Sequence, residues 1–194
     1  MEEKVLNYIK YVLEVPRDEY NGMPTCPFAR KEREDNNIYI DTLSESNDFI
    51  ICMHKFIESG KNSAVFIQDG ELNERDTKRY QKFLNNILKE LDKSEWKVLC
   101  INPNDKLEVE GFNARSLAPC FMVLINNKKD IYFAHKSILN TKYYDKMDSK
   151  YKKYLGIKWK HLQNLHIENE HHFIGGGDLE CINHYLIKQH CLIK

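Results

Sequence analysis

Cys26 stands between Pro24 and Pro27 in the run Pro24-Thr-Cys-Pro-Phe-Ala29. Pro27 has no backbone N–H to offer, so the surroundings of the sulfur are left to side chains. A thiol held beside a cation ionises below its ordinary range and becomes a nucleophile or a metal ligand. Arg115, which opens Arg115-Ser-Leu-Ala-Pro119, is the cation expected to do this. The arrangement predicts a site in which Cys26, Arg115 and Ser116 act on a substrate or hold an anionic group, lined by Phe28, Asn102 and Pro119. The competing reading is that Cys26 and Phe28 plug the N-terminal segment onto the core. A second cluster lies in the tail, where six of the eight histidines follow residue 160. Cys181-x-x-His184 has the spacing of a zinc pair, and His171, His172 or His190-Cys191 could complete the set. No second tight pair at standard spacing accompanies it, so incidental histidines on a polar tail are the competing reading. Cys-Pro dipeptides also serve as haem-thiolate signals in some haem-regulated proteins, which keeps haem beside zinc as a cofactor.

The elements that must position these residues follow from periodicity. Val5, Ile9, Val12 and Leu13 recur at helical spacing before Pro16, predicting an amphipathic helix over residues 2–14. A short β-prone run covers 38–40, and Phe49, Ile50, Met53, Phe56 and Ile57 form a helical face closed by Gly60. Residues 64–67 are a compact strand. Asn73 then caps the most regular helix of the chain, whose face is Tyr80, Phe83, Leu84, Ile87, Leu88 and Leu91. Strands are predicted at 96–101 and 121–125, with a hairpin loop at 126–130 leading to a further strand at 131–133. Tyr143, Tyr144, Met147, Tyr151, Tyr154 and Leu155 continue as a helical stripe. The alternation predicts an α/β fold with a mixed sheet, a parallel core with an antiparallel edge hairpin, flanked by helices. An N-terminal helix and Cys-Pro-Phe loop (1–36) precede the main domain (37–156), and a His-rich extension (157–194) follows it.

This order resembles thioredoxin. Residues 63–68 occupy the place of the strand that leads into the redox motif, and the helix from Asn73 the place of the helix that carries it. Gly70-Glu-Leu-Asn-Glu-Arg-Asp76 stands where two cysteines should be, so dithiol exchange is not carried over. Pro119 holds the position of the cis-proline, and the resemblance implies a cis Ala118-Pro119 bond; the Cys26 sulfur is expected near the 115–119 loop because both are assigned to one end of the sheet. Cys26-Pro-Phe-Ala29, Ile101-Asn-Pro103 and Arg115-Ser-x-x-Pro119 are also similar to the landmarks of an uncharacterised bacterial family of short Cys-Pro-Phe proteins, over about residues 5–150. Members of that family have His at the place of Asn102 and Pro at that of Leu117. The family supplies a site and no reaction.

Composition bounds the rest. The 194 residues suffice for one core with an appendage, and 42% hydrophobic with 30% charged residues is ordinary for a globular chain. The balance of 29 basic against 29 acidic side chains gives no field to hold nucleic acid. No apolar run is long enough to cross a bilayer, and Met1-Glu-Glu-Lys does not open a secretory signal, so a cytoplasmic address is expected. Cys52, Cys100 and Cys120 fall inside apolar patterns and read as reduced, buried thiols. Three functions stay open: a small-ligand or enzymatic site around Cys26, a protein-interaction module without catalysis, and a zinc or haem protein.

Overall fold

The computed structural model describes residues 1–44, 48–70, 72–128, 130–131, 137–138 and 141–147. The chain divides into two units, Met1–Lys146 and Met147–Lys194. Only Met147 of the second falls among the described residues.

Helix α1 (Glu2–Tyr8) carries Glu2 and Glu3 in its first turn, where the helix dipole favours acids. It does not reach residue 14 as a plain α-helix. It continues as a π-helical turn, Ile9–Leu13, in which the Glu14 N–H donates to the Ile9 carbonyl at 3.0 Å. The carbonyl of Leu13 is then taken by the Cys26 N–H at 2.9 Å, so the irregular turn anchors the loop that follows. That loop holds a two-stranded antiparallel ribbon, β1 (Pro16–Arg17) with β2 (Met23–Pro24), and leads into α2 (Ala29–Glu34).

The main sheet consists of β3 (Ile38–Leu43), β4 (Ser63–Gln68), β5 (Trp96–Ile101) and β6 (Phe121–Asn127), in the spatial order β3-β4-β6-β5. Strands β3 and β4 are parallel, and β6 runs antiparallel to both β4 and β5. The expected fold class is present: a mixed α/β sheet with a parallel pair, an antiparallel side and flanking helices. Ala64, Val65, Phe66 and Ile67 are all buried, as a strand covered on both faces requires. Their alternation divides the interior in two. Ala64 and Phe66 join Phe49, Phe56, Leu84, Leu88, Val98 and Val123, beneath α3 (Asp48–Glu58) and α4 (Glu74–Glu90). Val65 and Ile67 join Val5, Tyr8, Ile9, Ile101 and Met122, beneath α1. Gly60 closes α3 at a φ of +67°, the left-handed geometry expected of a helix terminus.

Helix α4 begins as anticipated. The side chain of Asn73 accepts the Asp76 N–H at 2.9 Å, with Glu74 and Asp76 in the first turn. Its far side has a role that periodicity did not indicate. Asn85 donates to the Val98 carbonyl at 3.2 Å and accepts the Val98 N–H at 3.1 Å, while Gln81 accepts the Cys100 N–H at 2.9 Å. These amides take up the outward groups of Val98 and the N–H of Cys100 on the edge strand β5, part of what is otherwise a template for pairing.

Two expectations are corrected. Strand β6 extends to Asn127, and Lys128, Asp130 and Ile131 are helical, so no strand begins at Ile131; Tyr132 and Phe133 lie outside the described residues. With its neighbours β4 and β5 already on both sides, β6 has no free flank for a hairpin partner. Tyr143 to Lys146 form a turn rather than the start of a helix. The Tyr143 ring packs on Tyr20 at 5.1 Å and its hydroxyl donates to the Thr25 carbonyl, so tertiary contacts set this segment. Residues 148–155 of that stripe lie outside the described residues.

Candidate functional site

Cys26 enters the structure through its backbone. Its N–H is held by Leu13, and its carbonyl accepts the Ala29 N–H at 3.2 Å as α2 starts. The partly buried side chain packs, with Cys120, against the cluster of Val5, Tyr8, Ile9 and Ala118. Cys26 and the 115–119 segment therefore share one core. Tyr8 links them: its hydroxyl donates to the Ala114 carbonyl at 3.1 Å. Burial pushes that phenol up to about 12, against the pull of Arg115 and with the push of Cys26 and Tyr20.

The chemistry expected of this neighbourhood does not follow from its geometry. Arg115 is paired with the carboxylate of Asp105 in a short charged hydrogen bond, with both side chains largely buried. Desolvation raises the Cys26 thiol above its ordinary range, with the N–H groups of Phe28 and Ala29 pulling the other way and the carboxylates of Glu14 and Glu32 adding to the rise. The downward shift anticipated from Arg115 does not appear: Arg115 pairs with Asp105 and is not among the groups that move this thiol. Ser116 is exposed, and its hydroxyl donates to the Asn113 carbonyl at 2.8 Å, closing the single 3-10 turn Arg115–Leu117. Phe28 caps the start of α2 and is half-buried.

Asn102 is almost fully buried, and every polar atom of its side chain is used. It donates to the Leu72 carbonyl and, at 2.7 Å, to the Thr77 hydroxyl, and accepts the Asn104 N–H at 2.9 Å. It ties the end of β5 to the start of α4. The cis-proline is also corrected: no cis peptide bond occurs among the described residues. Ala118, at φ −66° and ψ 139°, has the extended conformation that a residue before proline prefers. Cys181, His184, His171 and His172 lie outside the described residues. No group of three or more metal-ligating side chains occurs among the described residues.

Thiol reactivity gives a direct check. Burial pushes Cys52 up to about 11 and Cys100 up to about 12, and Cys26 and Cys120 are raised for the same reason. Cys26 should therefore alkylate slowly at neutral pH until the chain is unfolded, as read by mass spectrometry of labelled peptides with and without denaturant. Labelling of Cys26 in the native chain faster than in the unfolded one would require a cation at the sulfur. The same shifts fix a sign for stability. A thiol kept neutral in the fold contributes stability that is complete below its unfolded pKa and lost as pH rises through the raised one, so the unfolding free energy should decline above about pH 9.

Sequence reading passed over two other features. Glu14, 3% exposed, receives both Nε and Nη2 of Arg33 at 2.6 and 2.8 Å, with Arg30 at 3.7 Å. The ion pair ties the end of the π-helical turn to α2. The second is the outer edge of β3. Beside it opens a cleft of about 320 Å3, lined by Glu2 and Leu6 of α1, Arg33, Asn36, residues 38–40, Ser59 and Lys61. Residues alternate in direction along a parallel ladder. The Ser63 N–H binds the Asn37 carbonyl, so Asn37, Tyr39 and Asp41 turn toward β4, and Ile38, Ile40 and Thr42 turn outward. Among the described residues, nothing pairs with the N–H or C=O of Ile40. No signal in the local sequence of β3 marks it as an edge; only the strand order does.

Comparison with family models, with curated proteins and with solved structures finds no match to this chain. None of the helices among the described residues is long and apolar enough to cross a membrane.

Proposed function

We propose that this chain is a protein-interaction module without catalysis that docks an extended strand on the outer edge of β3. The observation that supports this reading is the asymmetry between the two edges of the sheet. Side-chain amides of α4 take up both outward groups of Val98 and the N–H of Cys100 on β5, whereas β3 keeps an open backbone donor and acceptor at Ile40 beside a cleft. Strand addition uses such groups for affinity and neighbouring side-chain pockets for specificity. The reading of Cys26 as a reactive centre has less support, since burial raises its thiol and Asp105 occupies Arg115. The test is selection of a displayed library of unstructured peptides on the native chain, with counter-selection on Ile40→Pro. Proline removes the N–H that an added strand would use. Enrichment of β-prone peptides on the native chain alone is the expected result, and peptides bound equally by both proteins, or by neither, would overturn it.

A further inference from the structure

The occupant of that edge can be named from the groups it leaves open. We infer that it is a second copy of this chain, joined to the first about a two-fold axis at Ile40. The inference rests on the reading of β3 as a docking edge and adds the identity of what docks.

Three of the six outward groups of β3 have partners within the chain. The Ile38 carbonyl accepts from Lys61 Nζ at 3.1 Å, the Thr42 N–H donates to Asp41 Oδ1 at 2.8 Å, and the Thr42 carbonyl accepts from Cys52 Sγ at 3.7 Å. A long foreign strand would have to displace these contacts to extend its ladder. An antiparallel copy placed with Ile40 opposite Ile40 exchanges one N–H···O=C bond in each direction and leaves them in place. That register sets Ile38 opposite Thr42, and Tyr39 opposite Asp41 of the second copy. It also brings the Asp41 carboxylate of each copy toward the Lys61 end of the other. The Lys61 ammonium donates to the Ile38 carbonyl and to Asn36 and makes no ion pair among the described residues, so its charge would add to the contacts that Asp41 already has with Lys55 and Tyr39 of its own chain.

The two-fold axis of such a pair stands perpendicular to the sheet, so each face continues into the same face of the copy. Helix α3 then runs beside its counterpart. Lys55 reaches Asp41 at 3.6 Å, which places the Lys55 side of α3 over the β3 edge. Ile51 lies one turn earlier on that side and is 56% exposed in the single chain. The second copy would cover it. The opposite edge is less open to pairing, because Asn85 and Gln81 already hold Val98 and the Cys100 N–H of β5, so pairing through β3 favours one eight-stranded sheet of two chains.

Sedimentation equilibrium of the full chain over a range of concentrations tests this. The expected result is a reversible monomer–dimer equilibrium. Ile40→Pro should abolish it, and Ile51→Lys, at an exposed position that leaves the core untouched, should raise the dimer dissociation constant about tenfold or more. Lys61→Glu should weaken it in a salt-dependent way. A native chain that stays monomeric overturns the second copy as occupant; peptide selection that still depends on Ile40 would then leave the docking edge standing. A dimer indifferent to both Ile51→Lys and Ile40→Pro uses another surface and overturns this placement, and if selection is equally indifferent to Ile40 the docking edge falls with it.

Discussion

Phe56→Ala should lower the unfolding free energy by roughly 3–5 kcal/mol, among the largest losses available to a single substitution in this chain. Phe56 has no exposed surface and sits where three elements converge. Its ring meets Trp96 of β5 edge-on at 4.9 Å between centroids, and Tyr39 of β3 at 6.1 Å. Deleting the ring removes apolar burial and leaves a cavity walled by strands that are hydrogen-bonded into one sheet and cannot collapse into it. Chemical denaturation followed by tryptophan fluorescence measures the loss. An unchanged slope of free energy on denaturant would locate it in the folded state. A loss under about 1 kcal/mol would mean that α3 is not seated on the sheet as described.

Arg33→Met should be among the more destabilising charge substitutions of this chain, although Arg33 itself is partly exposed. The cost lies in what stays behind. Glu14 is 3% exposed, and without Arg33 its carboxylate keeps only the longer contact with Arg30. Breaking a buried pair from one side leaves an uncompensated charge, whereas replacing both members with apolar groups of similar size is often near neutral. The double variant Glu14→Leu/Arg33→Met should therefore recover most of the loss, and thermal or denaturant unfolding of both singles and the double closes the cycle. Additive losses would mean that the pair contributes little and that Arg33 stabilises through its aliphatic stem.

The candidate site illustrates where sequence reading succeeds and where it stops. That Cys26 and the 115–119 segment belong to one end of the sheet was the expectation, and in the structure Cys26 packs against the cluster that includes Tyr8 and Ala118. What Arg115 does there was not legible. Its pairing with Asp105 is a contact across a loop, and nothing local distinguishes a cation that lowers a thiol from one already neutralised ten residues away in sequence. Asn102 shows the same limit: its buried hydrogen bonds to Leu72 and Thr77 join segments 25 to 30 residues apart, beyond the reach of any short motif.

The sequence by itself determined which segments become helix and which become strand wherever a strict period met a stop signal. The helix capped by Asn73, the one closed by Gly60 and the apolar run of β4 all follow from side-chain periodicity and backbone preference, which act within a few residues. Only the tertiary structure decided that β6 lies between β4 and β5, that Asn85 and Gln81 bind the backbone of one edge, and that Ile40 is left open on the other. Strand order arises from competition among distant hydrophobic surfaces for the same partners, and an edge is defined by what fails to pair with it. Local propensity carries no record of either.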